Sequence, residues 1–201
     1  MTENVTNVIF ALNKLVRDKV TDNFKKNNIT FTCEYINGVK LKKALLNKLV
    51  EEANEVLSTK LKADTIEELC DVWEVLSNIL KQYNINFQEL FKYQHNVELD
   101  DINKKNILHN FVQQSKVILE FKDRDTLIKE LQYFWFLFLT ILKLYNLSLS
   151  TITNACSKKN RTRGNFSKGL FIYTVELDPD NEMYKFFTHY PKVKNHDINL
   201  V

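Results

Sequence analysis

A repeat within the chain constrains the fold more than any other feature of the sequence. When Lys48 is placed on Asn110, the segment Lys48–Leu90 aligns with Asn110–Ile152 without a gap. The two segments share a tryptophan, at Trp73 and Trp135, and most other aligned positions keep apolar character. In both segments the apolar residues recur at the three- and four-residue spacing of amphipathic helices. We therefore predict two helical hairpins of the same design in tandem.

Acidic residues distinguish the two copies of the repeat. In the first copy, carboxylates lie one to four residues apart within each helix, which places them on shared helix faces. Like charges at this spacing destabilise an isolated helix by about 0.2–0.5 kcal/mol per pair. The second copy keeps the apolar framework but has lost most of these acids. The five acids are Glu51, Glu52, Glu55, Glu68 and Asp71, and the aligned positions of the second copy hold Gln113, Gln114, Val117, Glu130 and Tyr133.

The loss of these acids favours a metal site in the first hairpin over a merely solvated charged face. Acids that only solvate a helix would not be replaced so selectively by apolar side chains. Clustered carboxylates are hard oxygen ligands that suit Mg²⁺ or Mn²⁺. A capping box from Thr65 to Glu68 is a structural alternative for Glu68, and Glu52 is equally compatible with an ordinary surface acid. The retention of Glu130 in the second copy has no explanation at this level.

Composition favours helices along the whole chain. The 201 residues include only three Gly and two Pro, so the breaks that many strands and turns require are sparse. We predict an all-α fold, a helical bundle of two tandem hairpins that form a pseudo-dimer. Residues 5–27 are predicted to be helical, 28–40 to be a short extended segment, and the C-terminal tail to be irregular. This prediction places a single all-α domain over 1–201, with hairpins over 45–94 and 107–156 and a basic loop and tail over 157–201.

Charge and cysteine usage exclude several classes of protein. The formal net charge of +3 is too mild to imply nucleic-acid binding. The three cysteines are scattered and form neither a disulfide framework nor a zinc-site spacing, which favours a reducing cytosol. The first residues lack the layout of a signal peptide, and the most apolar run, Tyr133–Leu142, is too short to span a bilayer. We expect a cytoplasmic protein with neither a nucleic-acid nor a membrane partner.

Two basic segments lie outside the aligned copies of the repeat. One is NKLVRDKV near the start of the chain, and the other, KKNRTRGNFSK, follows the second hairpin. Basic side chains can hold phosphates through charge-assisted hydrogen bonds, and an aromatic ring can stack on a base. A solvated charged surface is the alternative for both segments. The candidate substrate contacts are Lys14, Arg17, Lys159, Arg161, Arg163, Phe166 and Lys168.

Three motifs resemble those of a known superfamily. The run Glu51-Glu52-x-x-Glu55, followed after twelve residues by Glu68-x-x-Asp71, resembles the signature of the all-α nucleoside triphosphate pyrophosphohydrolases. That superfamily contains the MazG-like enzymes, the dimeric dUTPases and phosphoribosyl-ATP pyrophosphohydrolase. The opening NKLVRDKV and the closing RTRGNFSKGLFI are similar to the first and last motifs of the MazG-like, phosphoribosyl-ATP-pyrophosphohydrolase-like branch.

The resemblance implies a reaction and a set of site residues. It implies a Mg²⁺-dependent hydrolase, with Mn²⁺ as the alternative cofactor, that cleaves a nucleoside triphosphate to the monophosphate and pyrophosphate in a house-cleaning role. Asn160 joins the substrate-binding set, because Lys159-Asn160-x-x-Arg163 resembles the KN-x-x-R element of the MazG-like enzymes. The implied metal ligands are Glu52, Glu55, Glu68 and Asp71, and the implied catalytic residues are Glu51, as a ligand or a base for water, and Glu52.

The chain departs from the simple family members in its second hairpin. Those members have one acidic hairpin and pair as dimers or tetramers. Here the degenerate copy is expected to take the place of a partner subunit, so that the protein is a monomeric pseudo-dimer or a homodimer. Two other functions remain open, namely hydrolysis of phosphoribosyl-ATP and a catalytically weak nucleotide-binding or scaffolding role.

Overall fold

The computed structural model describes residues 7–92 and 103–193. Its internal contacts divide the chain into two compact units. One unit, called the sheet unit, comprises the described residues of 1–37 and 162–201. The other, called the helical unit, comprises the described residues of 38–161.

The sheet unit is built on four antiparallel strands in the order β2-β3-β1-β4. Its core is formed by apolar side chains from β1, β2, β3 and a short helix, α1, together with the loop after β3. In the centre of the sheet, Phe10 of β1 lies opposite Val175 of β3, and both side chains are fully buried. The elements are β1 (Val8–Leu15), α1 (Val20–Lys26), β2 (Thr30–Tyr35), β3 (Leu170–Leu177) and β4 (Lys192–Val193).

This sheet contradicts the predicted all-α fold. Residues 5–27 were expected to form one helix, but they contain β1 and the short α1. The predicted irregular tail contains β3, which pairs with both β1 and β2. Ile9 and Phe10 are adjacent, so they lie on opposite faces of β1, yet both are buried, and the apolar residues of this strand therefore do not alternate. The register also shifts between Ala11 and Lys14, where Asn13 has a φ of 46°, and this shift breaks the two-residue period further.

The helical unit contains the two predicted hairpins. The first pairs α2 with α3, and the second pairs α4 with α5. Helix α6 follows the second hairpin and continues to Arg163, so the basic residues from Lys158 to Arg163 are helical rather than part of a loop. The bounds are α2 (Gly38–Ser58), α3 (Lys62–Gln82), α4 (Lys104–Leu119), α5 (Arg124–Leu144) and α6 (Leu149–Arg163), with a 3-10 helix at Phe87–Lys92.

The internal repeat extends to the ends of the helices. Helices α3 and α5 begin at aligned positions of the two copies and also end at aligned positions. Each is followed by an asparagine in the left-handed region, with φ of 52° at Asn84 and 50° at Asn146. The contacts between the hairpins are also reciprocal, since Lys62 donates to the Asn146 carbonyl at 3.4 Å and Arg124 donates to the Asn84 carbonyl at 3.0 Å. Reciprocal contacts of this kind define a local two-fold relation, here between two halves of one chain.

The axis of this relation passes near the two shared tryptophans. The ring centroids of Trp73 and Trp135 are 5.8 Å apart, and Phe87 and Phe138 pack around them. The apolar run Tyr133–Leu142 belongs to α5 and supplies much of this core. In the part of the chain that the structure describes, no single helix has the length and apolar character needed to cross a membrane. One bent pair, α5 with α6, meets the length and composition test jointly.

Candidate metal centre

Three carboxylates of the first hairpin converge between α2 and α3. Glu52 and Glu55 lie one turn apart on α2, and Glu68 faces them from α3. One oxygen of each carboxylate lies within 4.8 Å of the other two. We call these three residues the acid triad. They are three of the four metal ligands that the resemblance implied.

Lys48 is the built-in counter-ion of the triad. Its ammonium lies 2.6 Å from Glu52 Oε1 and 2.9 Å from Glu51 Oε1. Glu52 is only 2% exposed, and its second oxygen, Oε2, has no hydrogen-bond partner among the described residues. A buried carboxylate oxygen without a partner is costly, because nothing replaces the water it has lost. The site therefore offers an oxygen to a ligand that is not part of the described chain.

Burial sets the protonation of these groups. Burial raises the pKa of Glu52 to about 8, with the charges of Asp71 and Glu55 adding to the shift and Lys48 opposing it. Partial burial also raises the pKa of Glu55 and of Glu68. The charge of Glu68 adds to the shift at Glu55, and the charges of Glu52 and Asp71 add to the shift at Glu68. A hydrogen bond with Glu52 opposes the shift at Glu55, and a hydrogen bond with Glu55 opposes the shift at Glu68. For Lys48, burial alone would lower the pKa, but Glu52 and Glu51 outweigh it and the pKa is raised. Without a metal ion, the triad is thus a cluster of carboxylates that resist joint ionisation.

Asp71 is engaged differently from the triad. Its carboxylate accepts a hydrogen bond from the Lys159 ammonium, which also lies 3.1 Å from Glu67 Oε1. The side chains of Asp71 and Lys159 are 12% and 11% exposed, so this ion pair is largely withdrawn from water. The structure thus places Asp71 near Glu52, whose pKa it raises, but ties one of its oxygens to a lysine.

A second polar network lies one turn further along α3. The Glu74 carboxylate is buried and accepts hydrogen bonds from Asn160 at 2.6 Å and from Asn78 at 2.9 Å. Cys156 Sγ donates to the same carboxylate at 3.3 Å. Asn160, predicted to bind substrate, therefore has a bond to α3 instead, while Arg161 lies exposed on α6.

The second hairpin shows the aligned position with fewer acids. Gln114 stands where Glu52 stands in the first hairpin, and Glu130 where Glu68 stands. Gln114 Nε2 donates to Glu130 Oε2 at 2.7 Å and to the Glu130 carbonyl at 3.0 Å. An amide thus satisfies the retained acid, which accounts for Glu130. In the first hairpin two carboxylates meet at this position, and only a proton or a cation can reconcile them.

An open groove adjoins the triad. It has a volume of about 610 Å³ and is bounded by the end of α2, the start of α3 and the turn between them. Glu55 and Glu68 form one side of it, so a solute that enters the groove can reach these two carboxylates of the triad. The other lining residues are Ser58, Thr59, Lys60, Leu61 and Asp64.

The remaining predicted substrate contacts belong to the sheet unit. There the opening and closing basic segments meet: Arg17 donates to the Gly164 carbonyl at 2.6 Å, and its guanidinium lies over the Phe166 ring at 5.1 Å. Phe166 is 2% exposed, so its ring is core rather than a free stacking surface. Lys14 lies over the Tyr190 ring at 5.1 Å. Arg163 and Lys168 are exposed.

Two residues of these networks, Lys48 and Glu74, were not predicted from the sequence as part of the site. Lys48 precedes Glu51 and Glu52 by three and four residues, which is the spacing of helical ion pairs, so this signal was present. Glu74 differs, because its partners Cys156 and Asn160 lie far along the chain, on α6, and only the fold brings them together.

Comparisons of the chain with protein-family models, with curated proteins and with solved structures gave no match. Membership of the pyrophosphohydrolase superfamily therefore stays a prediction from the three motifs.

Proposed function

We propose that the protein is a Mg²⁺-dependent nucleotide pyrophosphohydrolase that converts a nucleoside triphosphate to the monophosphate and pyrophosphate. The observation that carries the proposal is the unpartnered Oε2 of buried Glu52, beside the carboxylates of Glu55 and Glu68. Mg²⁺ prefers oxygen ligands and shares its coordination between a few carboxylates and substrate phosphates. The acid triad fits that ion in the type of its donor atoms.

Each residue of the site has a role in this proposal. A bound Mg²⁺ supplies charge neutralisation for the phosphates and lowers the pKa of a bound water. The triad holds the cation, and Lys48 orients Glu52 by binding its Oε1, so that Oε2 is left for the metal. Glu51, which is half-buried and lies 2.9 Å from the Lys48 ammonium, would be the base that accepts a proton from water. The adjoining groove gives the phosphate chain access to the triad.

Comparison with the second hairpin favours a bound cation in the first hairpin over a merely solvated cluster of acids. Both hairpins have the same frame, yet only the first keeps acids at both of the facing positions that Gln114 and Glu130 occupy in the second. A cluster without function would gain stability from the same amide substitution, because it would exchange charge repulsion for a hydrogen bond. The facing acids Glu52 and Glu68 are thus best explained by a bound cation.

A nucleotide panel tests the proposal. Pyrophosphate release is measured for canonical nucleoside triphosphates, damaged nucleotides and phosphoribosyl-ATP, with millimolar Mg²⁺ or with EDTA. We expect release from at least one nucleotide with Mg²⁺, none with EDTA, and none from the Glu55→Gln variant in a folded state. Binding by calorimetry without release from any nucleotide would favour a binding or scaffolding protein instead.

A further inference from the structure

We propose that Lys159 occupies the place of a second cation beside the acid triad, holds Asp71 out of the coordination sphere, and leaves a site for one divalent ion per chain. This inference rests on the proposed function, because it concerns the composition of the same site. It departs from the motif-based expectation, in which Asp71 is a metal ligand and Lys159 is a phosphate contact.

The Lys159 ammonium is in close contact with helix α3. Its ammonium lies against two carboxylates of α3, those of Asp71 and Glu67, which are one helical turn apart. This is the position that a bridging cation would take between them. Because the lysine side chain is only 11% exposed, little water competes for the ammonium, and its attraction to Asp71 is stronger than that of a surface pair.

Residues of α6 on both sides of Lys159 are bonded to helix α3. Ile152, Cys156 and Asn160 are spaced by four residues and share one face of α6. The Ile152 carbonyl accepts from Cys70 Sγ at 3.6 Å, and the side chains of Cys156 and Asn160 both bond to Glu74. These bonds fix the register of α6 on α3 on both sides of Lys159. The lysine is therefore placed by the packing of two helices rather than by a chance rotamer.

A divalent ion and the Lys159 ammonium would compete for Asp71. A divalent ion bound to both Asp71 and the triad would lie close to the Lys159 ammonium, and like charges in a poorly hydrated site repel strongly. Two arrangements avoid this repulsion: Lys159 leaves, or Asp71 stays with Lys159 and the ion binds the triad alone. The register of α6 favours the second arrangement. The triad by itself already supplies the one or two carboxylates that Mg²⁺ usually takes from a protein.

Manganese titration of the full chain without nucleotide tests this assignment, with Mn²⁺ binding followed by calorimetry and electron paramagnetic resonance. The key variant is Asp71→Asn with Lys159→Met, which removes the pair without changing the net charge. We expect one Mn²⁺ per chain in the wild type and an affinity within about threefold in the double variant, since no ligand is lost. Glu68→Gln, which does remove a ligand, is expected to weaken binding by more than about tenfold.

The outcomes separate this inference from the proposed function. If the double variant loses as much affinity as Glu68→Gln, or if the wild type binds two Mn²⁺, Asp71 is a ligand and the inference is overturned. If the wild type binds no Mn²⁺ at all, the proposed function fails first. The pair is then tested in EDTA by a double-mutant cycle on thermal stability. Additive effects of Asp71→Asn and Lys159→Met would overturn the assignment of Lys159 as the partner of Asp71, whereas coupling would support that assignment.

Discussion

Glu52 is the residue of the site for which burial opposes ionisation most strongly. It is nearly fully buried, its Oε1 lies 2.6 Å from the Lys48 ammonium, and its Oε2 has no hydrogen-bond partner among the described residues. Burial raises its pKa to about 8 in the metal-free protein, compared with 4.5 for an unperturbed glutamate. The residue therefore holds a proton in the folded state over a pH range in which the unfolded chain has released it.

This shift predicts how stability depends on pH. Between about pH 4.5 and pH 8 the folded state binds more protons than the unfolded state, so the free energy of unfolding falls as pH rises. The linkage amounts to about 1.4 kcal/mol for each unit of pKa shift. Urea unfolding in EDTA at several pH values should show this loss, and Glu52→Gln should remove most of it. A wild-type stability that rises over the same range would contradict the protonation assigned to Glu52.

Gly164 lies where the backbone conformation and the close packing both favour a residue without a side chain. It has a φ of +77°, and a Cβ at this position would lie 2.9 Å from the Lys19 backbone nitrogen and 3.1 Å from Asp18 Cβ. We expect Gly164→Ala to lower the free energy of unfolding by about 1–3 kcal/mol in urea titrations. Gly38→Ala is the matched control, because Gly38 also has positive φ but a methyl group there would meet nothing within 4 Å. Equal losses in the two variants would contradict the close approach at Gly164.

Single residues differed in how far the sequence revealed them. The acid triad was predictable, because its members recur at helical spacing and most of them are lost in the second copy. The roles of Arg17 and Phe166 were not, because burial decides them: a basic residue beside an aromatic looks the same in sequence whether it binds phosphate or closes a turn. Asp71 likewise needed its partner Lys159, which lies on a different helix far along the chain.

The two hairpins show how one helical frame serves two purposes. Helices α2 to α5 were predictable, since long amphipathic stretches bury one stripe and repeat it every three or four residues. Strand β1 was not, because it is paired on both sides and apolar on both faces, so its pattern imitates a buried helix. The extended segment over 28–40 was anticipated and contains β2. The pairing of β1 with β3 joins the two ends of the chain and leaves no local signal in either strand.

The amide in the second hairpin yields a prediction at this scale. Gln114→Glu recreates two facing carboxylates without the rest of the triad, because Val117 stands in place of Glu55. We expect this variant to lose about 1–3 kcal/mol of stability in EDTA at pH 8, since a hydrogen bond is replaced by repulsion. Gln113→Glu, on the exposed side of the same helix, is the control and should change stability little. Similar losses in both would mean that the Gln114–Glu130 bond contributes nothing.

At the scale of the whole molecule, the chain pairs a hairpin that has a candidate function with a hairpin that supports it. Reciprocal contacts at Asn84 and Asn146 and the contact between Trp73 and Trp135 relate the two halves of the helical unit. A two-fold dimer would carry two equivalent sites, but the second hairpin has kept only Glu130 of the five acids. Over the described residues, the helical unit is thus a symmetric frame with one candidate site.

Metal binding should therefore stabilise the helical unit, which contains the acid triad. At a free Mg²⁺ concentration 100 times the dissociation constant, a single site adds about 2.7 kcal/mol, which corresponds to a melting temperature higher by about 5–10 °C for a chain of this size. Differential scanning calorimetry in Mg²⁺ and in EDTA measures this shift, and Glu68→Gln, at the same Mg²⁺ concentration, should reduce it by at least about half. Equal melting curves in Mg²⁺ and EDTA would count against the metal site.

We propose that catalysis depends on the acids of the first hairpin. Two matched variants test this dependence directly. Glu68→Gln and Glu130→Gln make the same chemical change at equivalent positions of the two hairpins. In a pyrophosphate-release assay with Mg²⁺ and the preferred nucleotide, Glu68→Gln should lower kcat by at least about 100-fold, because it removes a metal ligand. Glu130→Gln should retain most of the wild-type rate. Wild-type turnover in Glu68→Gln, or an equal loss in both variants, would contradict the account.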